Sequence, residues 1–60
     1  MDELKSLEGR KAYLYTKEDS VGMMVRIIRF LSDYVEVENS QGKARLYPRE
    51  NIAFFQLFGG

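Results

Sequence analysis

Apolar and polar residues alternate along most of this chain, and that period predicts strands. Residues 11–16 set Ala12 and Leu14 on one face against Lys11, Tyr13 and Tyr15 on the other. Residues 34–39 set Val35 and Val37 against Glu36 and Glu38. Further on, Ala44 and Leu46 are predicted to face inward, with Arg45 and Tyr47 outward. Residues 21–31 form the longest candidate strand. One parity there reads Val21, Met23, Val25, Ile27 and the other Gly22, Met24, Arg26, Ile28, Phe30. Val21, Val25 and Ile28 also fit helical spacing, but the enrichment in β-branched residues favours a strand. The inward parity changes at Ile27-Ile28, which predicts a bulge or sharp bend of the kind a small barrel needs when one long strand serves both halves of its sheet.

The segments between these runs carry stop and turn chemistry. Asp2 to Glu8 offers Leu4 and Leu7 at helical spacing, with Asp2 as N-cap and Gly9 as the C-terminal stop, enough for a short helix. Residues 17–20 form a polar turn, Ser32-Asp33 a short one, and residues 39–42 a hairpin connection with Gly42 free to adopt positive φ. Pro48, Arg49, Glu50 and Asn51 are predicted to form a single 3-10 turn, because the proline cannot sit in a central strand.

The last strand, residues 52–58, is apolar on both faces. Ile52, Phe54 and Phe58 share one parity, interrupted by Gln56, and Ala53, Phe55 and Leu57 share the other. A domain of this size has one core and buries one face of a strand, so the second face points to a partner. Residues 1–58 are read as one domain and Gly59-Gly60 as a tail or cloning scar without function.

Composition sharpens this picture. Sixty residues lie near the lower limit for independent folding, and the absence of cysteine excludes a disulfide framework, so self-association is the expected support. Nine basic and nine acidic residues balance, which argues against a general polycation acting on nucleic acid but leaves a local basic patch open. The chain begins acidic and has no long apolar run, so no signal peptide or membrane span is expected and a cytoplasmic location is the default. With no histidine and no cysteine, the usual base, nucleophile and soft metal ligands are missing; no enzymatic activity, metal or cofactor is expected. Glu36 and Glu38 share a strand face and read as its solvated side.

A short helix, four strands, a 3-10 turn and a fifth strand is an order similar to that of small β-barrels of the SH3-like and Sm-like types. The chain more closely resembles the Sm, Lsm and Hfq group. Gly22 opens a long second strand, Ser32-Asp33-Tyr34 brings an aromatic into the turn before the third, and Asn51-Ile52 enters a hydrophobic last strand. Tyr34 matches the aromatic of the group's acid-x-aromatic-x-asparagine turn, where Ser32 and Glu36 replace the acid and the asparagine. Pro48 and Arg49 stand where the group carries arginine-glycine. The resemblance implies an all-β fold, a five-stranded, strongly bent antiparallel barrel. It also implies a homo-oligomeric ring of roughly five to seven subunits, closed by heterologous pairing of edge strands.

On that plan, Ala53, Phe55, Leu57 and Tyr47 are the expected oligomer interface. The resemblance implies a single-stranded RNA site, in which Tyr34 stacks on a base, Asn51 bonds a base edge, and Arg29 and Arg49 hold phosphates. Lys43, Arg45 and Tyr47 are further candidates on the same reading. The turns at 32–34 and 48–51 are expected at one end of the barrel. The rival reading is an SH3-like protein-interaction adaptor without nucleic acid, suited by the neutral charge and by Tyr13, Tyr15 and Tyr47.

Overall fold

The computed structural model describes residues 3–58, so the expected Asp2 cap and the Gly59-Gly60 tail lie outside the described residues. Five strands form one antiparallel sheet: β1 (Lys11–Thr16), β2 (Asp19–Phe30), β3 (Tyr34–Asn39), β4 (Ala44–Pro48) and β5 (Ile52–Leu57). One 3-10 turn (Glu3–Leu7) precedes β1 where a short helix is expected, and a second (Arg49–Asn51) joins β4 to β5 as expected. The order across the sheet is β4-β3-β2-β1-β5. The chain is all-β, but the sheet is not closed: β4 and β5 are its two open edges.

Alternation places the core. Ala12, Leu14, Val25, Ile27, Val35 and Val37, two from each of the three central strands, are buried on one face. Leu7, Phe30, Tyr47, Ile52, Phe55 and Leu57 pack around them, half-buried. The sheet curls over this face. The Tyr47 hydroxyl on β4 reaches the Met23 sulfur on β2 at 3.8 Å, although β3 separates the two strands.

The bend lies where the sequence puts it. Ile27 pairs with Val37 but Arg29 with Glu36, leaving Ile28 as the extra residue. Val25 and Ile27 face the core before the bulge and Phe30 after it, so the inward parity switches. The chain before β1 ties down this irregular stretch. Gly9 N–H donates to the Ile27 carbonyl (2.6 Å), Ile27 N–H to the Arg10 carbonyl (2.9 Å), and Phe30 N–H to the Glu8 carboxylate (3.0 Å).

A second irregularity explains Gly22. From Leu14 to Thr16 the first strand advances two residues while β2 runs back four, from Met23 to Asp19. Tyr15 therefore faces a bulged stretch of β2, where the Asp19 carboxylate accepts the Val21 N–H at 3.0 Å. The Tyr15 ring closes over the chain here. A Cβ on residue 22 would lie 2.7 Å from the ring's Cζ, so only glycine fits this arrangement. At the β3–β4 hairpin, Gly42 adopts φ +79°, and the Asn39 side chain accepts from Gln41 N–H (2.9 Å) and Lys43 N–H (3.0 Å).

Two facing assignments differ from the sequence pattern. Val35 pairs with Tyr47 and Glu36 with Leu46, so β4 turns Tyr47 inward and exposes Ala44 and Leu46. In β5, Thr16 pairs with Ile52 and Tyr15 with Phe54, which makes Ala53 a bulge. That bulge lets Ile52, Phe55 and Leu57 all face the core, while Ala53, Phe54 and Gln56 face out. The large outward apolar residue of β5 is Phe54, and the Phe55–Leu57 face belongs to the monomer core.

Candidate functional site

The two expected turns do meet. Tyr34 pairs with Pro48, and the Arg49 N–H donates to the Asp33 carbonyl at 2.9 Å. Ser32, Asp33, Tyr34, Pro48, Arg49 and Glu50 line one shallow concavity of about 300 Å³. Tyr34 is 45% exposed at its rim. The Arg49 guanidinium lies over the Phe30 ring, 5.5 Å from its centroid, and its buried Nε has no hydrogen-bond partner among the described residues. Phe30 in turn meets Phe55 edge-on, with centroids 6.0 Å apart. An aromatic rim beside a cation held on a packed ring offers a stacking surface and an anion contact. Asp33 and Glu50 line the same concavity, so its formal charge is not positive.

The other predicted RNA residues are not part of this concavity. Arg29 lies on β2 with its Nε 2.7 Å from the Glu36 carboxylate, an exposed cross-strand ion pair. Asn51 is half-buried, and its carbonyl accepts the Lys17 N–H at 2.9 Å. Tyr34 and Arg49 are brought together in the concavity; Arg29 and Asn51 do not line it.

The predicted interface residues take an unexpected form. Phe55, Leu57 and Tyr47 direct their side chains to the core, and Ala53 is exposed at the bulge. Their strand is nevertheless an open edge. The Phe58 N–H donates to the Lys11 carbonyl (3.4 Å), which turns the backbone of residues 54, 56 and 58 toward β1 and that of Phe55 and Leu57 toward the open side. On the opposite edge, the Asn39 N–H donates to the Lys43 carbonyl (2.9 Å), so Arg45 and Tyr47 bond to β3 and the backbone groups of Ala44 and Leu46 stay open. Pro48 sits at the end of this edge strand, where a missing N–H leaves no gap in a ladder.

The outer face of the sheet holds what sequence reasoning missed. Tyr15 and Phe54 stack with centroids 4.5 Å apart and planes at 16°, and Tyr13 meets Phe58 at 4.9 Å. The Tyr15 hydroxyl donates to Gln56 Oε1 at 3.2 Å. Met24 pairs with Tyr13 beside them and is exposed. The alternation of Tyr13 and Tyr15 signalled an outward aromatic face. Nothing local signalled that Phe54 joins it, because the bulge at Ala53 sets that. Compared with known protein families, with curated proteins and with solved structures, the chain matches none of them.

Proposed function

We propose that the protein is an Sm-like small-barrel module that assembles with copies of itself into a ring of roughly five to seven subunits and holds single-stranded RNA at its rim. The observation that carries this reading is the pair of open edges on one small sheet. β4 and β5, five and six residues long, are the two edges of one antiparallel sheet, and each presents free backbone groups. Such edges are strand-pairing templates, and pairing β4 of one copy with β5 of the next is heterologous, so it closes when the rotation permits. Leu46, 57% exposed, and Phe54, 54% exposed, lie on the outer face of these two strands, and the pairing gathers both on one continuous surface.

Tyr34 and Arg49 are the proposed RNA contacts, one stacking on a base and one on a phosphate. A single subunit's site is weak, and a ring repeats it. Light scattering on the purified protein tests the assembly; a monomer at micromolar concentration refutes it. Titrating labelled oligo-U and oligo-A at low and high salt tests the RNA site. The expected result is salt-sensitive binding that Tyr34→Ala and Arg49→Ala both weaken. Binding absent in the tens of micromolar refutes it.

The adaptor reading keeps one observation in its favour. Arg29 is engaged by Glu36, and Asp33 and Glu50 flank Arg49, whereas the Tyr15–Phe54 face is apolar and open. Indifference to RNA together with intact assembly would select it.

A further inference from the structure

We infer that Glu8, which precedes the sheet, is a positioning residue for the Arg49 site; the inference rests on the RNA reading of that site. The Phe30 amide follows the β2 bulge, and the Glu8 carboxylate supplies its acceptor at 3.0 Å in a partly buried setting. Phe30 is also the ring beneath the Arg49 guanidinium, at 5.5 Å, and the edge-on neighbour of Phe55 at 6.0 Å. The chain of contact therefore runs from the segment before β1, through one backbone hydrogen bond and one aromatic ring, to the cation of the candidate site. Among the described residues Arg49 Nε has no hydrogen-bond partner, while the guanidinium rests on the Phe30 ring and the Arg49 backbone is tied to the Asp33 carbonyl. Removing the acceptor leaves a partly buried N–H unpaired, which the chain relieves by shifting the strand that carries Phe30.

Two substitutions separate positioning from charge. Glu8→Ala and Glu8→Gln both remove one negative charge, and a purely electrostatic role makes both bind RNA more tightly. Glutamine keeps an oxygen that accepts the Phe30 N–H. The expected result is that Glu8→Gln binds oligonucleotide as the parent protein does, while Glu8→Ala binds about fivefold to tenfold more weakly. A general loss of stability is separated by a double-mutant cycle. In the Arg49→Ala background, Glu8→Ala is expected to lower the urea midpoint still, yet to weaken RNA binding no further. Tightening by both Glu8 variants overturns the inference, as does an equal loss of affinity in both backgrounds. If the parent protein binds no oligonucleotide, the RNA reading fails by itself. The positioning is then decided by the NMR signal of the Arg49 Nε–H and the exchange rate of the Phe30 amide. An unmoved arginine signal in Glu8→Ala overturns the inference, and a shifted one that Glu8→Gln restores supports it.

Discussion

Phe54 and Phe55 are adjacent in sequence and opposite in role, so truncating each in turn tests the facing of β5 directly. Phe55 is half-buried, pairs with Leu14 across the β1–β5 ladder and meets Phe30 edge-on. Truncating a fully buried phenylalanine to alanine costs about 3–5 kcal/mol, so the half-buried Phe55→Ala is expected to cost about 2–3 kcal/mol. Phe54 is 54% exposed and loses mainly its stack on Tyr15, about 1 kcal/mol. A domain this small is stable by about 3–9 kcal/mol, and each kcal/mol shifts its Tm by about 4–8 °C. Thermal unfolding followed by circular dichroism should therefore fall by about 5 °C for Phe54→Ala and about 10–20 °C for Phe55→Ala. The scans belong at several protein concentrations, because association makes Tm concentration-dependent. On the proposed assembly, Phe54→Ala reduces that dependence while leaving the subunit folded. Equal losses for the two variants would refute the assignment of Phe55 to the core and of Phe54 to the outer face.

Gly22→Ala is expected to displace the Tyr15 ring from its position 2.7 Å from the new Cβ, at a cost of about 1–2 kcal/mol, with altered tyrosine and Phe54 ring shifts by NMR. Gly42→Ala meets no atom within 4 Å, so its cost is confined to the positive-φ backbone, about 1 kcal/mol, read from the urea midpoint without any change in ring shifts. Breaking the exposed Arg29–Glu36 pair with Arg29→Ala should change stability by less than about 1 kcal/mol, and the change should shrink further in high salt. Leu14→Ala, at a side chain with no solvent exposure, should cost about 2–5 kcal/mol and bring the isolated subunit close to unfolding, seen as lost chemical-shift dispersion.

Most of the local architecture is written in residue periods and turn chemistry. The alternation in Lys11–Thr16 and Tyr34–Asn39 gives strands with those same bounds and the buried pairs Ala12–Leu14 and Val35–Val37. The switch at Ile27-Ile28 is legible because a strand that carries apolar residues on odd and then on even positions must gain one residue to keep both sets inside. Gly42 and Pro48 mark the hairpin and the edge through restrictions that act on a single residue's backbone. The meeting of Tyr34 with Arg49 matches the expectation, drawn from the small-barrel plan that the chain resembles, that the two turns share one end.

Absolute facing was not legible, because alternation tells which residues share a side and leaves open which side is inward. In β4 that choice falls to the hairpin register, which sets Tyr47 opposite the buried Val35 although Leu46 is the more apolar residue. Tyrosine tolerates the position because its ring packs while its hydroxyl finds Met23. In β5 the deciding event is one unpaired residue, Ala53, whose bulge turns Phe55 and Leu57 into the core and Phe54 out. The clearance between Gly22 and Tyr15, the capture of Arg29 by Glu36 and the hold of Glu8 on Phe30 share the same character. Each joins residues seven or more positions apart, and such contacts exist only once the pairing of whole strands has fixed the distances between them.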